Sequence, residues 1–384
     1  MSTIVKMPIS NVLLGSDYTG AIMVGSGQVK LNVILDTGSS TLAVVSQDFN
    51  PSTDQGVTTT NIAQEVQYGS GSWVGAVVRT AVGIGGGVSL SSANLAVTYQ
   101  ESANMFGNAQ GIWGLAYMTL NNAFRMPANT WTHKYKIKRI ETGKVCDLIA
   151  YFGQLTEAGA VADKFAFYTK RSIISSATAT PATDPLNQGF FIIGGGEEQT
   201  ELYSGAFTHV EVLHDIYYNT GLLSVQVGDK AAISAPPVPP GSSNPSNSIV
   251  DSGTNSLIID QPLFDKVLAA FGAIDANFPT MLKTYALGSS QGVDQTRINL
   301  SQWPDLKFTL QGASGSPATL TVPPGDYWQF DASRKGIALA NVFGDGGELG
   351  GMSILGLPLL NAYYTVFDRT LGGGRGVISF AKRT

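Results

Sequence analysis

Two short stretches of the sequence place an aspartate in nearly the same setting. Residues 33–42 read VILDTGSSTL and residues 248–257 read SIVDSGTNSL, so Asp36 and Asp251 both follow apolar residues and precede small ones. A carboxylate in apolar surroundings is costly to desolvate unless hydrogen bonds or a partner group hold it. The repetition predicts that each of these aspartates is the partner of the other.

Two carboxyl groups at hydrogen-bonding distance have a defined chemistry. They cannot both ionise easily, so they share a proton over a wide acid range. The ionised group can take a proton from a water molecule lying between them, while the protonated group donates to the carbonyl oxygen that the water attacks. The pair therefore predicts hydrolysis of a carbonyl compound at acid pH without a cofactor.

Small residues follow the two aspartates at equal distances and have matching chemistry. They form three pairs: Thr37 with Ser252, Gly38 with Gly253, and Ser39 with Thr254. The first pair can hydrogen-bond between the two loops, and the glycines let the backbone fold tightly under the carboxylates because they lack a Cβ atom. The third pair can donate hydroxyl hydrogens to the outer carboxylate oxygens and fix their orientation.

A second repeat lies downstream of the first in each half of the chain. Residues 111–117 read GIWGLAY and residues 353–359 read SILGLPL, which share two apolar residues followed by Gly-Leu. Two matched motifs in matched order predict two structurally equivalent lobes related by an approximate two-fold axis. Asp36 and Asp251 would then face each other across that axis.

The elements that must position these residues are mostly strands. Short segments rich in β-branched or aromatic residues, bounded by Gly, Ser or Asp, predict strands at 30–35, 74–84, 190–195, 221–227, 306–310 and 376–380. Helices are expected at 144–159, with Cys146 buried on its apolar face, and at 260–272, with Asp260 as N-cap. We therefore expect an all-β protein with a few short helices.

Composition narrows the class of protein and of partner. The chain has 384 residues and a formal net charge of −5, which is long enough for two domains and too acidic for a nucleic-acid partner. No run of roughly 18 apolar residues is present, so we expect no membrane span. The single cysteine excludes intrachain disulfides. No signal peptide is evident, and a cytoplasmic location and a periplasmic or secreted one, with the signal removed, both stay open.

The motifs together resemble the pepsin-like aspartic proteases. The segments DTGSS, DSGT, YGSGS (68–72), GLAY (114–117) and YYTVFDR (363–369) are similar to that family's motifs and occur in its order. The resemblance implies a bilobal fold with two related β-barrel-like lobes, a cleft between them and Asp36 and Asp251 as the catalytic dyad. In lacking disulfides, the chain resembles the bacterial pepsin homologues.

The same resemblance implies substrate-binding residues. Residues 66–78, with Tyr68, Gly69 and Ser70 near the tip, look like the flap hairpin that closes over the substrate. Gly38, Gly253 and Thr254 would also contact the substrate. Ile34 and Ile112 match positions that line the main side-chain pocket. The implied activity is an endopeptidase with an acidic pH optimum, acting on extended peptides with hydrophobic residues beside the scissile bond.

The resemblance also sets expectations for organisation, and the chain departs from the family at some positions. We expect an N-terminal lobe over 1–175, an inter-lobe loop over 176–189 and a C-terminal lobe over 190–384. Residues 119–143 resemble an insertion, and 234–248 form a Pro/Ser-rich loop. Ala43 stands where the family usually has a tryptophan that bonds the flap tyrosine. Either Trp73 compensates from within the flap or Tyr68 is held less firmly.

Two other classes of function compete with the protease. A pepsin-fold protein that has lost activity could serve as an inhibitor or a lectin-like receptor, for which Ala43 is the only support. Paired carboxylates also hydrolyse sugars, although aromatic sugar platforms are not evident. The three histidines lack metal-ligand spacing, so we expect neither a metal nor a cofactor. We expect a monomer.

Overall fold

A computed structural model describes residues 3–69, 71–102, 104–288 and 291–384, except the side chains of residues 137 and 138. The strands of the first half are β1 Val5–Ser10, β2 Thr19–Val24, β3 Val29–Asp36, β4 Leu42–Val45, β5 Thr58–Tyr68, β6 Gly71–Gly85, β7 Val88–Glu101, β8 Gly111–Gly114, β9 Asn122–Arg125, β10 Lys144–Asp147, β11 Lys164–Tyr168, β12 Gln188–Ile193 and β13 Tyr203–Glu211. The helices there are α1 Thr130–His133, α2 Ile137–Ile140 and α3 Tyr151–Glu157.

The second half is also rich in short strands. They are β14 Asn219–Thr220, β15 Leu222–Val227, β16 Ile233–Ser234, β17 Ser248–Val250, β18 Leu257–Ile259, β19 Val293–Asp294, β20 Leu306–Leu310, β21 Ala318–Val322, β22 Trp328–Phe330, β23 Ile337–Ala340, β24 Val342–Gly344, β25 Ser353–Leu355, β26 Tyr363–Asp368 and β27 Val377–Arg383. The helices there are α4 Gln261–Gly272, α5 Phe278–Thr284, α6 Pro324–Tyr327 and α7 Leu357–Ala362. The expected all-β, two-lobed fold is confirmed.

The strand that carries Asp36 belongs to a closed barrel. The strand order β2–β3–β8–β4–β7–β6 returns to β2 through an additional β6–β2 pairing, which closes six strands. Strand β3 runs parallel to β8, so that Asp36 lies opposite Gly114. Because the barrel is closed, each of these six strands is paired on both sides, and the end of β3 is held between its neighbours.

The strand that leads to Asp251 has equivalent neighbours. Strand β17 runs parallel to β25, as β3 runs parallel to β8. Strand β25 then pairs antiparallel with β18, which pairs parallel with β24, as β8, β4 and β7 do in the first half. The downstream repeat of the sequence thus supplies the strand beside each aspartate strand, which is why the two motifs recur together.

A continuous sheet joins the two ends of the chain. The order β1–β12–β11–β26–β27–β13 places strands from the start, middle and end side by side. Buried side chains such as Val33, Trp113, Phe165, Val250 and Phe367 belong to one apolar core. The lobe boundaries expected at residues 175 and 190 stay a prediction.

The predicted secondary structure is confirmed except at one place. All six predicted strands are present, and α4 begins after Asp260 as predicted, although the Asp260 side chain makes no cap hydrogen bond. The helix predicted over 144–159 is wrong in its first part. Residues 144–147 form β10, because Arg125 to Asn122 of β9 offer an edge with which they pair. Cys146 consequently lies on a strand and is half-buried, not on a helix face.

Candidate active site

The two aspartates lie at the ends of equivalent strands. Asp36 is the last residue of β3 and Asp251 directly follows β17, and their side chains are buried, with 5% and 7% exposed. The carboxyl of Asp251 lies within hydrogen-bonding range of that of Asp36. The geometry thus brings together two acids that stand 215 positions apart in the sequence.

Reciprocal hydrogen bonds lock the two aspartate loops to each other. The Ser252 Oγ accepts from the Thr37 N–H at 3.0 Å and donates to the Leu35 carbonyl at 2.8 Å. The Thr37 Oγ1 accepts from the Ser252 N–H at 2.8 Å and donates to the Val250 carbonyl at 3.1 Å. Four bonds in a buried setting fix how the two carboxyl groups face each other.

Each carboxyl is held by its own loop in the same way. The Gly38 N–H donates to Asp36 Oδ1 at 2.7 Å, and the Gly253 N–H donates to Asp251 Oδ1 at 2.9 Å. On the other oxygen, Asp36 Oδ2 accepts from the Ser39 hydroxyl, and Asp251 Oδ2 accepts from that of Thr254 at 2.6 Å. The hydroxyl pair therefore makes the contacts that its position in the sequence predicts.

The two glycines are required by the closeness of the opposite carboxyl. A Cβ atom on Gly38 would lie 2.8 to 2.9 Å from the carboxyl atoms of Asp251. A Cβ atom on Gly253 would overlap the carboxyl of Asp36. Any larger residue would push the pair apart, so glycine at these two positions follows from the site geometry.

Burial and mutual repulsion set the protonation of the pair. Burial raises the pKa of Asp36 well above its usual range, and the negative charge of Asp251 raises it further. Hydrogen bonds from Ser39 and the Gly38 N–H oppose part of this rise. The raised pKa means that Asp36 retains its proton at pH values where an isolated aspartate would be ionised.

A cleft of about 790 Å³ opens onto the pair. Gly38, Ser39, Tyr68, Gly69, Gly253 and Thr254 line it together with the two aspartates. Its apolar wall consists of Val66, Leu120, Ile249, Ile258, Phe343, Leu349, Met352 and Ile354. Six acids line it, namely Asp17, Asp36, Glu65, Asp251, Asp345 and Glu348, whereas no described lining residue is a lysine, arginine or histidine.

The flap is a hairpin made by β5 and β6. Tyr68 pairs with Gly71 beside the tip, and Gly69 lines the cleft. Ser70, which was also expected to contact substrate, lies outside the described residues. Burial raises the pKa of the Tyr68 hydroxyl, and the charge of Asp36 adds to this rise. Tyr68 and the two aspartates thus line the same cleft, with the tyrosine hydroxyl close enough for the charge of Asp36 to act on it.

Trp73 is the tryptophan that lies beside Tyr68. Interactions with Trp73 and Ser39 oppose part of the rise in the pKa of Tyr68, which places both residues near its hydroxyl. The Tyr68 hydroxyl and the Trp73 Nε1 are buried, and within the described ranges neither meets the geometry of a hydrogen bond. Trp73 and Ala43 belong to one buried apolar cluster, with Tyr68 packed against it. The indole therefore occupies space next to the small side chain of Ala43.

Ile34 and Ile112 do not line the cleft, contrary to the expectation from the family resemblance. They are paired residues of β3 and β8, 8% and 4% exposed, in the cluster of Trp73. The cleft lining does not include either side chain. The physical reason is that this cluster, which also contains Phe106, already packs around them.

Two cleft residues were not predicted from the sequence. Asp17 lies in the cleft, and burial, followed by the charge of Asp251, raises its pKa to about 7. Tyr217 also lines the cleft, and burial raises its pKa, with the charges of Asp251 and Asp36 adding to the rise. Neither residue belongs to a repeated motif, and only the folded chain brings them to the acid pair.

The described residues contain no group of three or more His, Cys, Asp or Glu side chains arranged to hold a metal ion. No helix in this part of the chain is long and apolar enough to cross a membrane.

Comparison with known proteins identifies the family. The family model described as eukaryotic aspartyl protease matches residues 17–381. Because the match covers nearly the whole chain and includes both aspartate loops, the protein belongs to the eukaryotic aspartyl protease family. Membership in this pepsin-like family points to hydrolysis of peptide bonds.

Curated relatives are similar at low identity over almost the full length. Gastricsin of Callithrix jacchus is 24% identical over 371 residues, covering 93% of this chain and 80% of that protein. Pepsin A of Gallus gallus is 23% identical over 374 residues, covering 94% and 84%. Pepsin A of Bos taurus is 23% identical over 385 residues, covering 95% and 84%. These matches confirm the resemblance to the pepsin-like aspartic proteases.

Proposed function

We propose that this protein is an aspartic-type endopeptidase in which Asp36 and Asp251 activate a water molecule to cleave an extended peptide. The observation that carries the proposal is the matched holding of the two carboxyls. Each accepts from a glycine N–H and from a Ser or Thr hydroxyl, on loops locked by Thr37 and Ser252. Two acids arranged alike and sharing a proton can supply base and acid in one step.

The reaction balances with these two groups alone. The ionised carboxyl takes a proton from the water molecule as the water oxygen bonds to the peptide carbonyl carbon. The protonated carboxyl gives its proton to the carbonyl oxygen, which forms a neutral tetrahedral diol. The carboxyl that took the proton from water then donates it to the amide nitrogen, and the carboxylate on the other side takes a proton from a diol hydroxyl. The C–N bond breaks, which leaves a new carboxyl end, a new amino end and one proton on the pair. The raised pKa of Asp36 supports activity in the acid range.

The cleft lining supports a preference among peptides. Its apolar wall favours hydrophobic side chains beside the scissile bond, because their burial against residues such as Ile258, Phe343 and Met352 removes apolar surface from water. The four acids beyond the pair disfavour acidic side chains in the substrate once they ionise. We therefore infer a substrate segment that is hydrophobic at its centre and poor in Asp and Glu.

The test is cleavage of a denatured protein between pH 3 and pH 6, with and without a transition-state mimic that inhibits aspartic proteases. We expect inhibitor-sensitive cleavage that is lost in Asp36→Asn and in Asp251→Asn. Asp326→Asn is the control, because Asp326 is also a buried carboxyl with a pKa raised to about 6, but it lies outside the cleft.

The outcome also separates the competing functions. A protein that retains the peptide but leaves it intact would be a binding protein of the same fold. Activity that survives in either aspartate variant, or that is lost equally in Asp326→Asn, would contradict the roles given to Asp36 and Asp251.

A further inference from the structure

The segment 119–143 lies against the root of the flap. Its strand β9 pairs with β5, with Arg125 opposite Ile62 and Phe124 opposite Ala63. The Met126 N–H donates to the Asn61 carbonyl at 2.7 Å, and the Asn61 side-chain amide returns a bond to the Met126 carbonyl at 3.0 Å. The outer edge of the flap hairpin is thus covered at its base and does not face solvent there.

The contact extends beyond the strand pairing. The Thr130 hydroxyl of α1 donates to the Ile62 carbonyl at 2.8 Å. Met126 and Ile140 share a buried apolar cluster with Ala63 of β5 and Val74 of β6. The segment therefore holds β5 by hydrogen bonds and both strands of the hairpin by apolar packing.

A buried amide connects this segment to the loop that carries Asp36. The Asn121 Oδ1 accepts from the Thr41 hydroxyl at 2.8 Å and from the Gln64 amide of β5 at 2.9 Å. The Asn121 Nδ2 donates to the Leu148 carbonyl at 2.6 Å, ahead of α3. Thr41, Gln64 and Asn121 are at most 3% exposed. One side chain thus joins the flap, the aspartate loop and the segment that precedes α3.

We propose that residues 119–143 form a brace that holds the flap in register with the Asp36 loop, and that Asn121 is its positioning residue. The proposal rests on the proposed function, since positioning matters only if the flap closes over a substrate. In this arrangement the root of the flap is fixed relative to Asp36. Because the root of the flap is already ordered, the binding energy of the peptide is needed only to close the flap over the acid pair.

The test uses Gln64→Leu, which cuts the link on the flap side. Gln64 donates to Asn121 and, at 3.1 Å, to the Asn122 carbonyl. Its Oε1 is buried without a hydrogen-bond partner in the described part of the chain, so leucine also removes an unsatisfied acceptor. Gln64→Met, which retains the unbranched shape, is the second variant if the leucine protein does not fold.

The readout is hydrogen exchange of the flap amides at 66–69 and 71–74, together with kcat/KM. Loss of two hydrogen bonds should speed flap exchange roughly 5- to 30-fold and lower kcat/KM by a similar factor. The pH profile of kcat/KM should stay unchanged, because the contacts of the two carboxyls are untouched.

The matched control is Gln329→Leu. Gln329 is also buried, and its Oε1 accepts from the Ser172 and Ile173 N–H groups at 3.1 and 2.9 Å, away from the flap. We expect it to lower Tm at least as much without faster flap exchange. Equal flap exchange in wild type and Gln64→Leu would overturn the brace. A wild-type protein with no peptidase activity would refute the proposed function instead, because the exchange readout does not depend on catalysis.

Discussion

Thr37→Val tests whether the lock between the two aspartate loops holds the acid pair. Valine has nearly the shape of threonine but lacks the hydroxyl group. The Thr37 Oγ1 accepts from the Ser252 N–H at 2.8 Å and donates to the Val250 carbonyl at 3.1 Å. The substitution therefore removes two of the four reciprocal bonds and leaves both backbone groups without these partners.

The expected loss follows from burial. Thr37 and Val250 are fully buried and Ser252 is 2% exposed, so water cannot replace the lost bonds. An unsatisfied buried donor or acceptor costs about 1–3 kcal/mol. Two such groups predict a fall of about 2–6 kcal/mol in the free energy of unfolding, which is a large part of the roughly 5–15 kcal/mol typical of a native protein.

Thr365→Val is the matched control for this measurement. Thr365 is also fully buried, and its Oγ1 has no hydrogen-bond partner among the described residues. Removing that hydroxyl should leave stability unchanged or slightly raised, because an unsatisfied polar atom is replaced by a methyl group. Urea denaturation of both variants at one pH compares them directly.

Activity gives the second readout of the same change. We expect Thr37→Val to lower kcat by at least tenfold, because small displacements of catalytic groups are costly, and Thr365→Val to retain wild-type kcat. Equal stability and equal kcat in the two variants would refute the view that the reciprocal bonds hold the pair. A double-mutant cycle with Ser252→Ala should show strong coupling, since both side chains serve one network.

Two further predictions concern the flap and the third acid. Trp73→Phe retains one aromatic ring but removes the N–H near the Tyr68 hydroxyl; we expect kcat/KM to fall roughly 2- to 10-fold. Tm should fall as well, because Trp73 is buried and the smaller side chain leaves a cavity, and an unchanged kcat/KM would contradict this role. Asp17 has a pKa raised from 3.8 to about 7, so its folded form holds a proton that the unfolded chain has released. Stability should therefore fall as pH rises from about 4 to 7, by at most about 4 kcal/mol, and Asp17→Asn should flatten this part of the profile measured by urea denaturation.

The aspartate loops could be predicted from the sequence because their geometry is local and repeated. Asp36 and Asp251 are each followed by a glycine and a hydroxyl residue that hydrogen-bond the aspartate two or three positions before them. Two copies of one pattern also imply the symmetry that brings them together. This information is contained in short segments, so it does not depend on how the rest of the chain packs.

The errors and omissions have the opposite origin, since each depends on distant contacts. Val145 and its neighbours became a strand because β9 offered an edge 19 to 25 residues away in the chain. Ile34 is packed in a cluster with Trp73, which comes from another strand, and it is not among the residues that line the cleft. Asp17 has no motif, and only the fold places its carboxyl where the charge of Asp251 acts on it. Such contacts override local propensity and leave no signal in a single sequence.

The symmetry of the acid pair does not extend to the residues that surround it. Burial is the main cause of the raised pKa of both Tyr68 and Asp17, and the next cause is the charge of Asp36 for Tyr68 and the charge of Asp251 for Asp17. The local bonds make the two carboxyls chemically equivalent, which favours sharing of one proton. Tyr68 and Asp17 are therefore coupled to different members of the pair, so the surroundings of the two carboxyls differ although the hydrogen bonds that hold them match.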